Sequence, residues 1–238
     1  MDTRYAPRLD LSIKRRLRAL NWDLDQIVKE VQFDSHSTVW TASSVTLKSL
    51  DIDVVQMILL IEDRRFFRHL GFELRAIPRL MKRALKLQKP GGISTLDQQL
   101  VRIITNRRER TISRKIRETV LAAAINSWLS KDELLLSYLK RSYFGRGLIG
   151  LEAASKHLFK KEPDQLSTNE AAFIASLLAR PIPGIVVDCL NDFNLLTAQR
   201  PEEYIGMARV CAPTWAIAVR ARYLYTLKLF SDSKESRD

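Results

Sequence analysis

Residues 51–71, DIDVVQMILLIEDRRFFRHLG, decide the fold class of this 238-residue chain. Val54, Val55, Ile58, Leu59, Glu62, Phe66 and His69 recur at spacings of three and four, the period of one helix face rather than of a strand. Asp51 or Asp53 can cap the start of that helix. Glu62 interrupts an otherwise apolar stripe. A carboxylate there is partly desolvated, which raises its pKa and strengthens it as a base. The competing reading is a buried glutamate paired with an arginine, because structural ion pairs also occupy such positions. His69 follows in line with Glu62 and reads as organising the Glu62 region.

Helical periods continue downstream. In 73–89, Leu74, Ile77, Leu80, Met81 and Leu85 alternate with six basic residues, and Pro78 divides the stretch. Such a segment suits an anionic lipid surface. KPGGISTLDQQL (89–100) reads as a glycine turn feeding a helix that Ser94 or Thr95 can cap, with Thr95 and Gln98 spaced for a capping box. Its free backbone N–H groups suit an anion. Ile112, Ile116, Val120, Ala123, Ala124 and Trp128 mark the expected buried side of a helix over 111–129. Further helices fit 131–143, 148–160, 167–179 and 214–230. The proline-bearing region 181–214 reads as irregular, and no strand series stands out. Upstream, Leu9, Ile13, Leu17 and Leu20 fit a short basic helix, either lying on a membrane surface or packed on the domain. The expected organisation is an N-terminal extension over 1–50, a core over 51–184, a helical completion of that domain over 185–230, and a disordered polar tail, SDSKESRD, over 231–238.

Composition agrees with an all-α chain. Gly and Pro number only 8 each, too few for a turn-rich sandwich or barrel, and 46% hydrophobic residues supply a core. The net charge of +12 favours polyanionic or phosphate-bearing partners. Cys189 and Cys211 build neither a zinc site nor a disulfide framework. No apolar stretch of about 18 residues encodes a membrane-spanning helix, and no signal peptide is visible.

Two further features carry chemistry. Glu118 lies in RKIRE, where Arg114 and Lys115 precede it by four and three residues and can share its helix face; on pattern alone this reads as an exposed ion pair. Arg102, Arg107, Arg108, Arg110, Arg114 and Lys115 form a cationic group able to clamp phosphates, or else a solvated face. PGGIST lacks the ending of a P-loop, no serine or cysteine nucleophile arrangement stands out, and the histidines form no metal cluster.

In order, EDRRFFRHLG (62–71), GISTLDQQL (92–100), RTISRKIRE (110–118), KDELLLSYLKRSYFGRGLIGLEAASKHLF (131–159) and LSTNEAAFIASLLARP (166–181) resemble the motifs of glycosyltransferase family 51. These are the peptidoglycan glycosyltransferase domains of penicillin-binding proteins and of monofunctional biosynthetic transglycosylases. The resemblance implies a lysozyme-like helical domain with a small membrane-facing lobe, to which 73–89 corresponds. It implies polymerisation of lipid II: the growing glycan on undecaprenyl pyrophosphate is the donor, and the GlcNAc 4-hydroxyl of an incoming lipid II the acceptor. Glu62 would be the general base and Glu118 would assist at the donor side. Arg102, Arg110, Arg114 and Lys115 would hold the pyrophosphate. Ser94, Thr95, Gln98 and Gln99 would shape the sugar cleft, with Asp63 and His69 also contacting substrate. A divalent cation, Mg2+ or Mn2+, is implied at the pyrophosphate, with no dedicated protein metal site. The implied location is the outer or periplasmic face of a bacterial cell membrane, with cell-wall synthesis proteins as partners.

The chain departs from the usual pattern at Ile93, Asp97, Lys140, Leu158 and Glu73, while both acids and most phosphate-facing cations remain. The resemblance therefore favours an active peptidoglycan glycosyltransferase. A non-catalytic lipid II-binding or cell-wall assembly relative is the alternative. A lysozyme-like hydrolase suits the cations around Glu118 less well. A nucleic-acid-binding domain has charge alone in its favour and leaves Glu62 unexplained, so no nucleic acid is expected as partner.

Overall fold

The structure is a computed structural model that describes residues 13–36, 52–73, 94–192 and 200–235. The basic stretch expected to meet lipid, apart from Glu73 at its start, and the glycine loop before Ser94 lie outside the described residues. The class is all-α. In chain order the helices are α1 (Ile13–His36), α2 (Asp53–Glu62), α3 (Leu96–Thr105), α4 (Ile112–Ile125), α5 (Lys131–Arg141), α6 (Leu151–Phe159), α7 (Thr168–Leu177), α8 (Gly184–Asp192), α9 (Pro201–Cys211) and α10 (Pro213–Glu235). The only strands among the described residues are a short antiparallel pair, β1 (Tyr143–Gly145) and β2 (Leu148–Ile149). The chain divides into two compact units: unit 1 holds residues up to Thr38 and Arg65–Tyr138, and unit 2 holds Val39–Arg64 and Leu139–Asp238.

In unit 1, α1 packs on α3 and α4. It is far longer than the short basic helix expected there. Its buried seam is Asp23, Ile27, Val31 and Asp34, whereas Leu17 is exposed. The seam thus begins and ends on a carboxylate. Arg117 of α4 donates from Nε to Asp23 at 2.8 Å, and Ser137 donates to Asp34 at 2.6 Å. Burial of apolar side chains holds the middle of the contact and hydrogen-bonded charge holds its ends.

The buried face of α4 differs from the expected one. Ile112 is 81% exposed, Ile116 60% and Trp128 70%, while Glu118, Leu121, Ala122 and Ile125 are buried. Two contacts turn the helix this way. Arg117 must reach Asp23, and Gly71 lies against the α4 backbone. A Cβ on Gly71 would fall 2.1 Å from the Ala122 carbonyl oxygen, and its φ of +82° is itself a glycine conformation.

In unit 2, α7 is the central element, with every residue from Glu170 to Leu177 buried. Its alanines let α2, α6 and α10 pack closely on it. Phe159, Phe173, Tyr204 and Tyr223 form an aromatic cluster around it, with ring centroids 5.5–6.4 Å apart. α7 starts in a complete capping box between Ser167 and Glu170. Burial alone would raise the Glu170 pKa, but hydrogen bonds from Lys161 and Ser167 outweigh it and hold the carboxyl below its ordinary value.

The region read as irregular, 181–214, contains α8 and α9. Its prolines mark helix starts: Pro201 opens α9 and Pro213 opens α10. Proline costs no hydrogen bond in a first turn, so these residues punctuate helices rather than exclude them. α10 continues to Glu235 and takes up residues 231–235 of the polar tail. Ile52, not Asp53, stands at the N-cap of α2, without a side-chain cap bond. Asp53 instead accepts from Thr168 at 3.1 Å.

Two stability predictions follow from these contacts. Gly71→Ala should lower unfolding free energy by about 2–3 kcal/mol, from left-handed strain and the clash with α4; urea unfolding measures it. Glu170→Ala should cost about 1–2 kcal/mol at neutral pH. Because its folded pKa is depressed, the stability Glu170 contributes is present above the ordinary value and is lost as pH falls through the folded value. The gap between wild type and variant should therefore close only well below pH 4.5.

Candidate active site

Glu62 is the last residue of α2, four positions beyond buried Ile58 and seven beyond buried Val55. It lies on the stripe that the sequence assigns to it, and its side chain is 14% exposed. Its carboxylate accepts from the Arg222 guanidinium of α10. Both readings of Glu62 thus meet in one residue: a carboxylate on an apolar face, and one paired with arginine. No sequence spacing signals the pair, since its members are 160 residues apart.

The helical line from Glu62 to His69 breaks at Asp63, whose φ of −158° takes the chain out of α2 while its N–H still reaches Leu59 O at 2.9 Å. His69 therefore does not share a helix face with Glu62. A 3-10 turn, Phe66–Arg68, buries Phe66, and the Lys131 ammonium lies 4.3 Å from its ring centroid. His69 Nδ1 lies 3.7 Å from the Asp97 carboxylate within unit 1.

Asp97 is fully buried. Lys131 donates to both its oxygens, at 2.9 and 3.2 Å, and Asn126 donates to one at 3.2 Å. Burial pushes the Asp97 carboxyl above its ordinary value, against the opposing pull of Lys131. Sequence reasoning noted Asp97 only as a departure, and it missed Lys131 and Asn126. An acid in the first turn of a helix was the available signal, since the helix dipole favours a negative charge there.

The other expected residues of unit 1 assemble on α3 and α4. Thr95 is the N-cap of α3: its hydroxyl accepts from Gln98 N at 3.3 Å and donates to Gly71 O at 2.7 Å. The capping box is only half made. The Gln98 side chain turns away from the Thr95 backbone, donating to Thr119 at 3.1 Å and accepting from Lys115 at 2.7 Å. Lys115 Nζ also donates to Ser94 at 2.7 Å and lies 3.5 Å from Glu118. Arg114 donates to the other Glu118 oxygen. Glu118 is thus buried and doubly compensated rather than an exposed ion pair. Burial pulls the Lys115 pKa down, Glu118 opposes this, and Arg102 and Arg114 add to the depression. Gln99 is engaged by the Tyr138 hydroxyl at 3.2 Å.

The cationic group divides in two. Lys115 and Arg114 gather about Glu118, with Arg102 close enough to Lys115 to repel it, whereas Arg107 is drawn toward Asp23, at 3.7 Å. Arg108 and Arg110 are exposed. Among the described residues the buried Nε of Arg114 has no hydrogen-bond partner, a donor that a phosphate oxygen would satisfy. Glu118 does not fit a divalent cation as it stands, because Arg114 and Lys115 neutralise it. No described helix is long and apolar enough to cross a membrane.

Comparison with known proteins gives the family. A family model described as transglycosylase matches residues 29–189. The chain is 38% identical over 149 residues to the biosynthetic peptidoglycan transglycosylase of Alcanivorax borkumensis, covering 62% of this chain and 56% of that protein. It is 40% identical over 138 residues to penicillin-binding protein 1A of Escherichia coli, covering 58% of this chain and 16% of that protein. With penicillin-binding protein 1F of Bacillus subtilis it shares 34% over 138 residues, 58% of this chain and 19% of the relative. The matched region therefore spans about half or less of these relatives. The family match covers well over half of the chain, so the chain belongs to the transglycosylase family, glycosyltransferase family 51.

Proposed function

We propose that this protein polymerises lipid II into glycan strands at a bacterial cell membrane. The observation that carries the reading is the cationic cluster on α3 and α4. One ammonium, Lys115, joins Ser94, Gln98 and Glu118, with Arg114 beside it. Such a cluster suits a pyrophosphate leaving group better than a neutral sugar.

In this reading Glu62 takes the proton from the acceptor GlcNAc 4-hydroxyl as its oxygen bonds to the donor's anomeric carbon. The bond from that carbon to the pyrophosphate breaks, and undecaprenyl pyrophosphate leaves with the electron pair. Arg114 and Lys115, with Arg102 and Arg110, bind the leaving pyrophosphate and stabilise its growing charge. Glu118 holds the two nearest cations in place. Ser94, Thr95, Gln98 and Gln99 shape the sugar subsite, with Asp63 and His69 alongside. A divalent cation enters only as a companion of the substrate's pyrophosphate. Penicillin-binding proteins and transglycosylases among the relatives support this assignment and a place among cell-wall synthesis proteins.

A second reading, lipid II binding without polymerisation, draws on one observation: Glu62 is engaged by Arg222. Incubation of the purified protein with lipid II separates the two. Polymer from the wild type, with a loss of about 10²-fold or more in Glu62→Gln, is the expected result. Binding without polymer from either protein would sink the catalytic reading. Lys115→Met should lower the polymerisation rate by about 10²-fold while leaving the fold intact, as loss of one charge-stabilising donor does; rate and thermal melting together measure it.

A further inference from the structure

The family model ends at residue 189, so α10 lies wholly outside it. Its docking is nonetheless specific. Ala216, Val219, Tyr223, Thr226 and Phe230 are buried at spacings of three and four, and they form the seam that meets α7, α2 and α9. Polar contacts fix its rotation and height. Trp215 Nε1 donates to the carbonyls of Arg180 and Pro181, at 3.0 Å each. The Tyr223 hydroxyl donates to Glu202 at 2.7 Å. Burial and the Glu202 contact push that phenol's pKa up, so it remains a proton donor.

α10 also grips both ends of α2. Lys234 lies 3.4 Å from Asp53 at the start of α2, and Arg222 reaches Glu62 at its end. The two helices therefore run antiparallel over the ten residues of α2, about 14 Å. The Lys234 contact is exposed and weak. The Arg222 contact is not: both side chains are largely withdrawn from water. Among the described residues the Nε of Arg222 is buried with no hydrogen-bond partner. A guanidinium kept there with a donor unspent is costly to the fold alone, which directs attention to what it does for Glu62.

We propose that Arg222 is a positioning residue for Glu62: it holds the carboxylate at one orientation from a helix outside the family core. The proposal rests on the reading of Glu62 as the general base. A carboxylate has about four lone-pair sites, and the planar guanidinium takes one of them in a fixed geometry. Rotation of Glu62 about its last torsion is thereby restricted, and the direction in which it can receive the acceptor's proton is set. Lysine offers a mobile point charge in place of a planar fork and cannot impose the same direction.

Steady-state polymerisation of lipid II by the full chain tests this, with Arg222→Ala, Arg222→Lys, Glu62→Gln and the Glu62→Gln/Arg222→Ala double variant, and thermal melting of each. Arg222→Ala should lower kcat by about 10–100-fold, as misplacement of a reacting group does, with KM changed less than about two-fold. Arg222→Lys should fall between the two. Added guanidinium ion should restore part of the Arg222→Ala rate. The double variant should be no slower than Glu62→Gln alone, because the two residues act as one unit. Unchanged or raised kcat in Arg222→Ala overturns the proposal, a raised value meaning that Arg222 restrains the base. If Arg222→Ala does not fold, Arg222→Lys decides: reduced kcat with wild-type KM and melting supports the proposal, and wild-type kcat overturns it. An active Glu62→Gln sinks the base assignment itself. An inactive Glu62→Gln beside a fully active Arg222→Ala sinks only the role of Arg222.

Discussion

Carboxylates withdrawn from water shape both units. Asp23, Asp97, Glu118 and Glu170 are all buried, and an ionised carboxylate in such a place is strongly disfavoured unless a cation meets it. Arg117, Lys131, Arg114 with Lys115, and Lys161 do so, respectively. The Glu118 pairs lie within α4; the other three join segments that apolar packing alone would leave free to slide. Asp23 sets the rotation of α4 against α1. Asp97 ties the turn after α2 to the start of α5 through Lys131. Glu170 fixes the first turn of the central helix of unit 2. Removing one partner would leave a buried charge, so these contacts specify the arrangement more than they add net stability.

The same constraint explains the rotation of α4. The row Ile112, Ile116 and Val120 has the period of a buried face, yet it is exposed, and the buried face carries Glu118. The gain from burying three more aliphatic side chains, about 1.5–3 kcal/mol each, competes with the loss of the Arg117–Asp23 bond, the Gly71 contact and the compensated Glu118. The polar and steric contacts act together on one face, and that face is covered. The result also puts Lys115, beside Glu118, where it reaches Ser94 and Gln98.

How legible the site was varies by residue. Glu62 stood out because a carboxylate on an apolar stripe is unusual at any helix position. Thr95 stood out because a cap has a local signature, and local signatures survive folding. Gln98 was half legible. Its place at the third helical position was right, but its side chain answers Lys115 and Thr119 rather than the backbone behind it. Glu118 was misread as exposed, since spacing reports which residues share a face and not whether that face meets water. Arg222, Lys131 and Asn126 left no signal, because each meets its partner through an approach of distant segments.

The sequence by itself determined what depends on neighbours three and four residues away: the all-α class, the main helices, the Thr95 cap and the ordered motifs of the transglycosylase family. Tertiary structure alone decided what depends on contacts far apart in the chain. It turned α4, found helices among the prolines of 181–214, moved His69 off the Glu62 face toward Asp97, and brought Arg222 to Glu62. The physical reason is the range of the forces involved. Helix periodicity and capping are set within one or two turns, whereas compensation of a buried charge is made by whichever residue the packed chain brings within about 3 Å.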